Sequence, residues 1–491
     1  MLPAYAIVSV IVLLIMVLVR LTSATSRNSL YNWLSIAHAG AYLVFTFIIL
    51  VSTRFPEYFL ANQYFFVDSL GAYEVLTSSI VFLLSALYAR GYVDGLLHHG
   101  EIDAGEIQLF YIALNSLFVI VVYAFFSNNM ALFWILLEIT TLLSAILIVT
   151  LNAKDNIMAA LKYLFTASTA MLFSIIGLII LFAMTKEATG SGTLNWNLLM
   201  EQASKLSPAL LTLSFILIFI GFAAKAGIVP FHTWLPQAHA KAPSVISVLL
   251  SAVLLNIGIY GILRMYAVVH QTSAAHSISV LLIAFGILSI GIAAFSMLPR
   301  SNIKKLVAFS SIEHMGFILV GIGLGTPLAL FWVMFHTLAH ALVKTLLFFS
   351  AGILHQQYRG NKFEKMEDAL LLQPLASWGF IIGSLAVIGT PMFPIFLSKL
   401  FILEQLGSYS LPLLFLVLAL FLLVAAAFAT ILIRTFSQKN GHEKIVRYNA
   451  SWSMKLSMTL VLAAILTLGV YFPSGLSDIL NSIVAGLGFR G

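Results

Sequence analysis

Leu211-Thr-Leu-Ser-Phe-Ile-Leu-Ile-Phe-Ile-Gly221-Phe-Ala-Ala-Lys225-Ala-Gly227-Ile-Val-Pro230 sets one lysine inside an apolar run and ends that run on a glycine and a proline. A run of about 20 apolar residues is what crosses a bilayer as a helix. A lysine near the centre of such a helix costs roughly 2.5 to 3.5 kcal/mol on insertion scales. It must therefore pair, face the bundle interior or line a hydrated path. A second stretch repeats the pattern: Gly389-Thr-Pro391-Met-Phe-Pro394-Ile-Phe-Leu-Ser-Lys399. Interrupted helices in corresponding parts of two halves point to a transport site.

The rest of the chain fits this reading. Of its 491 residues 61% are hydrophobic and 9% charged, where roughly 25% charged is normal for a soluble domain. Fourteen apolar spans are read at about 2-20, 30-51, 64-89, 108-127, 129-151, 158-185, 208-232, 243-265, 277-298, 305-325, 327-354, 373-401, 409-435 and 450-472. The first lacks a basic leader and a small-residue cleavage site, so it is read as a mature helix and not a signal peptide. Pro473 to Phe489 is too interrupted by Gly and Ser to count as a fifteenth. The fold class is thus all-α and polytopic.

Charge and cysteine narrow the function. The formal charge of +7 comes without a basic stretch interleaved with aromatics, which argues against nucleic acid. Sixteen of the 25 Lys and Arg follow odd-numbered spans, among them Arg90, Lys154, Lys241, Lys304, Arg359, Lys362 and Lys365. Five lie on the other side: Arg54, Lys186, Lys205, Arg264 and Arg490. By the positive-inside rule the first group is cytoplasmic and both termini are outside, in the cell membrane. Lys162, Lys225, Lys344 and Lys399 fall inside spans. With no cysteine, the chain holds no thiolate-bound iron-sulfur or nickel-iron centre and no redox cofactor of its own.

The two breaks lie in the seventh and twelfth spans, five apart, so the units around them have opposite topology. Glu138 precedes Lys225 by 87 residues and His314 precedes Lys399 by 85. Two inverted five-span repeats follow, about 108-265 and 277-435, with a three-helix segment at 1-107 before them and a helix and tail at 450-491 after.

Glu138 has no other charge in its own helix, so its partner comes from another one. Whether it is charged depends on a cation beside it, which suits an ion relay; the plainer alternative is a neutral interhelical hydrogen-bond donor. His336, His340 and Lys344, four apart, share one helical face, and imidazole exchanges protons near neutral pH. Metal binding by His336 and His340 is the competing reading, but no carboxylate in that helix and no cysteine completes a site. His232 and His239 flank the first break and can equally satisfy unwound backbone. Lys162, near a helix start, can snorkel to the boundary. Asp68, Glu74, Glu101, Asp103 and Glu106 are expected to cap and solvate helix ends, and Glu404 is left open.

Several tracts together resemble a known family: Trp134-Ile-Leu-Leu-Glu138-Ile-Thr-Thr-Leu, Lys225-Ala-Gly-Ile-Val-Pro-Phe-His-Thr-Trp-Leu-Pro-Gln-Ala-His239, Ala242-Pro-Ser, Ile303-Lys-Lys-Leu-Val-Ala-Phe-Ser-Ser-Ile-Glu-His-Met-Gly316, and His340-Ala-Leu-Val-Lys344 with Phe348-Phe-Ser-Ala-Gly352. The chain resembles the antiporter-like subunits of respiratory complex I, multisubunit cation/proton antiporters and membrane-bound nickel-iron hydrogenases, closest to the hydrogenase and formate hydrogenlyase branch. The resemblance implies that Glu138 and Lys225 form the ion pair of one half-channel, that His336, His340 and Lys344 bridge the halves, and that Lys399 ends the second. It also implies partners: other antiporter-like membrane subunits and a peripheral hydrogenase or iron-sulfur module. Many members carry a lysine in the eighth span, where this chain has Asn256 in Leu254-Leu-Asn256-Ile-Gly-Ile-Tyr260.

The expected function is proton translocation by a subunit of an oxidoreductase complex whose redox chemistry sits in other chains. The alternatives are a sodium/proton antiporter subunit and a non-conducting scaffold of a hydrogenase complex.

Overall fold

The computed structural model describes residues 2-18, 24-52, 58-60, 63-151, 154-299, 301-437 and 446-489. A short antiparallel hairpin, β1 (Tyr58–Leu60) with β2 (Phe65–Val67), is the one sheet among them. In chain order the helices are α1 (Leu2–Leu18), α2 (Ala24–Ser52), α3 (Ser69–His98), α4 (Glu106–Phe125), α5 (Met130–Val149), α6 (Lys154–Thr189), α7 (Trp196–Gln202), α8 (Pro208–Ala226), α9 (Leu235–Lys241) and α10 (Ser244–Leu249). They continue as α11 (Leu255–His270), α12 (Ala275–Met297), α13 (Ile303–Leu324), α14 (Pro327–Tyr358), α15 (Ala369–Leu372), α16 (Pro374–Ile388), α17 (Pro394–Tyr409), α18 (Leu411–Phe436), α19 (Trp452–Val470) and α20 (Ser474–Gly486).

Helix dominates because hydrocarbon offers no partner to a backbone N–H or C=O. Twelve helices among the described residues are long and apolar enough to cross a membrane. The shorter α1 and the broken pair α16 and α17 account for the other two sequence-derived spans. α10 and α11 form one span, Ser244–His270, through a π-helical turn at Leu250–Leu254. Starts are fixed by polar caps: the Asp68 carboxylate accepts from Gly71 N, Asn129 from Ala131 and Leu132 N, and Asn302 from Lys305 N.

Both breaks close in the same way. α8 stops at Gly227 (φ 71°), with Ile228 N donating to Ala223 O at 2.9 Å; α16 stops at Gly389 (φ 86°), with Thr390 N donating to Leu385 O at 3.1 Å. In each case a glycine in the left-handed region lets the chain turn back and satisfy a terminal carbonyl.

Connectors that follow odd-numbered spans gather at one end. Glu101, Asn156, Lys241, Lys304, His355 and Asn361 line a single cavity of about 250 Å³ there. We call this the basic end. At the opposite end Asn129 donates to Asn195 at 2.8 Å and the Trp196 indole to Arg264 O at 2.9 Å. Of the charges counted in the sequence, Arg20, Arg54, Arg300, Lys439, Lys444 and Arg490 lie outside the described residues.

α13, α14 and the Ser244–His270 span form the buried centre, while α5, α6, α12 and α18 turn residues such as Leu142, Phe165, Phe295 and Leu422 outward. α12 and α13 touch backbone to backbone: a Cβ on Gly286 would stand 2.6 Å from Gly316 O, and one on Gly316 would stand 2.7 Å from Gly286 O. The closing stretch, doubtful as a span, is the 13-residue α20, joined to α3 by Ser482 and Ser69 hydroxyls at 2.6 Å.

Candidate ion-translocation site

The second half carries the tightest cluster. Lys399, on α17, donates to Glu313 Oε1 at 2.9 Å, and both are buried. The ammonium also lies 3.9 Å from the centre of the Phe421 ring. His314 Nε2 stands 3.3 Å from Glu313 Oε2, His314 Nδ1 is hydrogen-bonded to His336 Nε2 at 2.9 Å, and His336 Nδ1 to Ser398 Oγ at 2.7 Å. Sequence spacing singled out His314 as the counterpart of Glu138; the carboxylate that pairs with Lys399 is its neighbour Glu313. Glu313 precedes Lys399 by 86 residues and His314 by 85, a difference too small for spacing to separate the two. His314 instead joins Glu313 to the column on α14.

His336, His340 and Lys344 are fully buried along one uninterrupted helix. Lys344 donates to Val307 O at 3.1 Å and to the Ser310 hydroxyl on α13. His340 packs 5.2 Å from the His314 ring centre and leaves both ring nitrogens without a hydrogen bond.

In the first half the implied Glu138–Lys225 ion pair is not formed. Lys225 Nζ donates to Thr141 Oγ1 at 2.8 Å and to Tyr163 OH at 3.2 Å. Glu138 accepts from the Ser168 hydroxyl at 2.9 Å. Thr141 lies three residues beyond Glu138 on α5 and meets the ammonium first. Tyr163 OH is also 3.0 Å from Ser144 Oγ, and its ring packs at a 34° tilt against Trp234 beyond the break, with centres 4.3 Å apart. Lys162, its sequence neighbour, is exposed and lines a surface recess with Asp155, Lys241 and Lys305, so it stays apart from the buried cluster.

His239 ties the halves together. It is fully buried on α9 and stacks on Phe348 of α14 at 4.9 Å, with neither ring nitrogen hydrogen-bonded. Ser251 and Ser311 hydroxyls, 2.8 Å apart, join the π-helical turn to α13. His232 is half-buried within the turn between α8 and α9. A buried row in which His314, His336 and Ser398 are hydrogen-bonded in series, with His340, His239 and the ammonium groups beside them, is chemistry suited to handing on protons.

The acidic residues expected at helix ends divide. Asp68 caps α3 and also binds the buried Arg264 at 2.7 Å, while Asp103 and Glu404 are exposed. Glu101 pairs with His355 at 3.0 Å. Glu74 does not solvate a helix end: it is buried in the interior, because α3 runs against α14 from its first turns.

Residues 127–429 match the family of membrane domains described as NADH:quinone oxidoreductase/Mrp antiporter. The chain belongs to this family. Among its relatives, the hydrogenase-4 component F homolog of Methylacidiphilum infernorum is 29% identical over 457 residues, covering 92% of this chain and 94% of the relative. Hydrogenase-4 component B of Escherichia coli is 31% identical over 385 residues, 76% of this chain and 54% of that longer protein. The fold is that of a subunit of an archaeal membrane-bound sulfane sulfur reductase, with TM-score 0.83 over 98% of this chain and 96% of the other at 23% identity. The family stretch takes in every buried residue of the cluster above, but not Glu74.

Proposed function

We propose that this family member moves protons across the membrane as one subunit of a redox-driven complex, the electron-transfer centres being held by partner chains. The observation that carries the reading is the contrast between two buried lysines: Lys399 is closed on Glu313 at 2.9 Å, whereas Lys225 rests on two neutral hydroxyls. A buried ammonium with no carboxylate costs several kcal/mol. It is retained where it gains and loses a charge partner or a proton during turnover. Glu138, Lys225, His239, His340, His314, His336, Lys344 and Lys399 supply the groups, and two inverted five-span units give each half its own broken helix. The basic end faces the cytoplasm. The partners are further membrane subunits and a peripheral redox module, a reading supported by relatives named as hydrogenase-4 components and by a neighbour titled a respiratory membrane complex.

The test is Lys225→Ala in the complete complex, in inverted membrane vesicles supplied with its electron donor. Assembly and electron transfer should remain while proton uptake is lost. Wild-type uptake would remove the proposal. Sodium-dependent proton movement with no electron donor would make the chain an antiporter subunit instead.

A further inference from the structure

Glu74 belongs to α3, outside the stretch that matches the family. It is 2% exposed, and its carboxyl group lies against the side chains of Thr337 on α14 and Asn256 on α11. No hydrogen bond closes on Glu74 Oε2 or on either polar atom of the Asn256 amide. No ion pair among the described residues includes Glu74. The neighbouring Tyr73 donates to Met334 O at 2.6 Å, which holds α3 against the turn of α14 that carries His336 and Thr337.

A structural role does not explain this. A buried polar atom left unpaired is destabilising, and a buried carboxylate without a cation is more so. A glutamine would fill the same space and offer a donor to Asn256. What a carboxyl group adds is the ability to take up and release a proton.

The surroundings give that proton somewhere to go. Asn256, Tyr260 and Arg264 recur every four residues and share one face of α11. Arg264 donates to Tyr260 OH at 2.8 Å and pairs with Asp68 at 2.7 Å, and Asp68 reaches the surface at the opposite end. On the α14 side of Glu74, Thr337 follows His336 in the chain and comes three residues before His340, and its hydroxyl donates to Met334 O at 2.7 Å. On the side of Glu74 away from α14, the face of α11 continues from Asn256 to Tyr260, whose hydroxyl donates to Phe125 O at 2.7 Å, and on to the Arg264–Asp68 pair.

We propose that Glu74 exchanges the transported proton between the histidine column of α14 and the opposite end of the bundle, at the level of Asn256. An imidazolium of the column gives its proton through the Thr337 hydroxyl to the Glu74 carboxylate. The resulting acid later releases it along the Tyr260 side to water at the opposite end. Nothing is oxidised or reduced: the first transfer turns imidazolium and carboxylate into neutral imidazole and neutral acid, and the release restores the carboxylate with the proton on water. The inference rests on proton translocation by this chain.

The experiment compares Glu74→Gln, Glu74→Asp, Thr337→Val and Lys225→Ala in the complete complex in vesicles, reading protons moved per electron transferred. Infrared difference spectra of the wild type and Glu74→Gln accompany it. Glu74→Gln and Thr337→Val should each lower the ratio at least tenfold with electron transfer intact. Glu74→Asp should pump with a displaced pH profile, and the carbonyl band of a protonated carboxyl should vanish in Glu74→Gln. If Glu74→Gln or, where that variant fails to assemble, Thr337→Val pumps normally while Lys225→Ala does not, Glu74 is idle and this inference falls alone. If Lys225→Ala pumps as well, the translocation reading falls. Loss of sodium transport with proton movement unchanged would make the site a sodium site and overturn the proposal.

Discussion

Glu313→Gln and Lys399→Met test whether the ion pair of the second half is a coupled unit. Glu313 is fully buried and Lys399 nearly so, and their contact is 2.9 Å. Removing one member of a buried pair costs about 3 to 5 kcal/mol. Glutamine keeps an oxygen that Lys399 can still donate to, so Glu313→Gln belongs near the low end, about 3 kcal/mol. Lys399→Met strands Glu313 with His314 alone and also gives up the Phe421 ring contact at 3.9 Å, so it belongs near about 5 kcal/mol. Independent losses would sum to about 8 kcal/mol, whereas a coupling of about 3 kcal/mol puts the double variant near 5. Thermal unfolding in detergent reads the cycle. The parallel cycle on Glu138→Gln and Lys225→Met should be additive within about 0.5 kcal/mol, because Thr141 and Ser168 hold those two side chains apart. Additivity at 313 and 399 would refute the coupling, and strong coupling at 138 and 225 would mean the separated arrangement is not the stable one.

Gly316→Ala should destabilise by about 1 to 3 kcal/mol through overpacking, since the new methyl meets Gly286 O at 2.7 Å; unchanged unfolding would mean that α12 and α13 yield easily. Lys362→Cys, on a chain with no native cysteine, should react with an impermeant maleimide only once the cytoplasmic side is opened, and labelling of intact cells would reverse the orientation. Burial pushes the Glu101 carboxyl up, but the His355 hydrogen bond and charge, with Lys304 beyond, outweigh this and hold it below the usual carboxylate range. A lowered pKa gives stability that is present above the unfolded value, about 4.3, and is lost as pH falls through the folded one. Glu101→Gln should therefore flatten the fall of melting temperature below about pH 4, and an acid limb as steep as wild type would exclude the His355 contact as its source.

Spans and breaks were legible because lipid enforces them: apolar runs of fixed length, and glycine where the backbone must take positive φ. The column of His336, His340 and Lys344 was legible because residues four apart on one helix meet one face. Pairing between helices was not. A one-residue change of position on α13 decides whether Glu313 or His314 faces Lys399, and offset arithmetic is good only to about a turn. Lys162 and Tyr163 are adjacent in sequence, yet the hydroxyl points inward and the ammonium outward. Glu74 looked like a capping residue because it follows Asp68 closely; only the packing of α3 on α14 shows that its turn is already interior.

The contact of Gly286 with Gly316 bears on how the second-half pair is mounted. Gly316 lies one turn beyond Glu313, and at that level α13 has no methyl's width of slack against α12. The close backbone contact seats α13 directly against α12, and Glu313, His314, Ser310 and Ser311 are carried on it. Lys399 has the opposite mounting: a short half-helix hung from the turn at Gly389 and bounded by Pro391 and Pro394. If the proposed translocation opens the second-half pair, the half-helix that carries Lys399 is the partner with fewer backbone contacts to break.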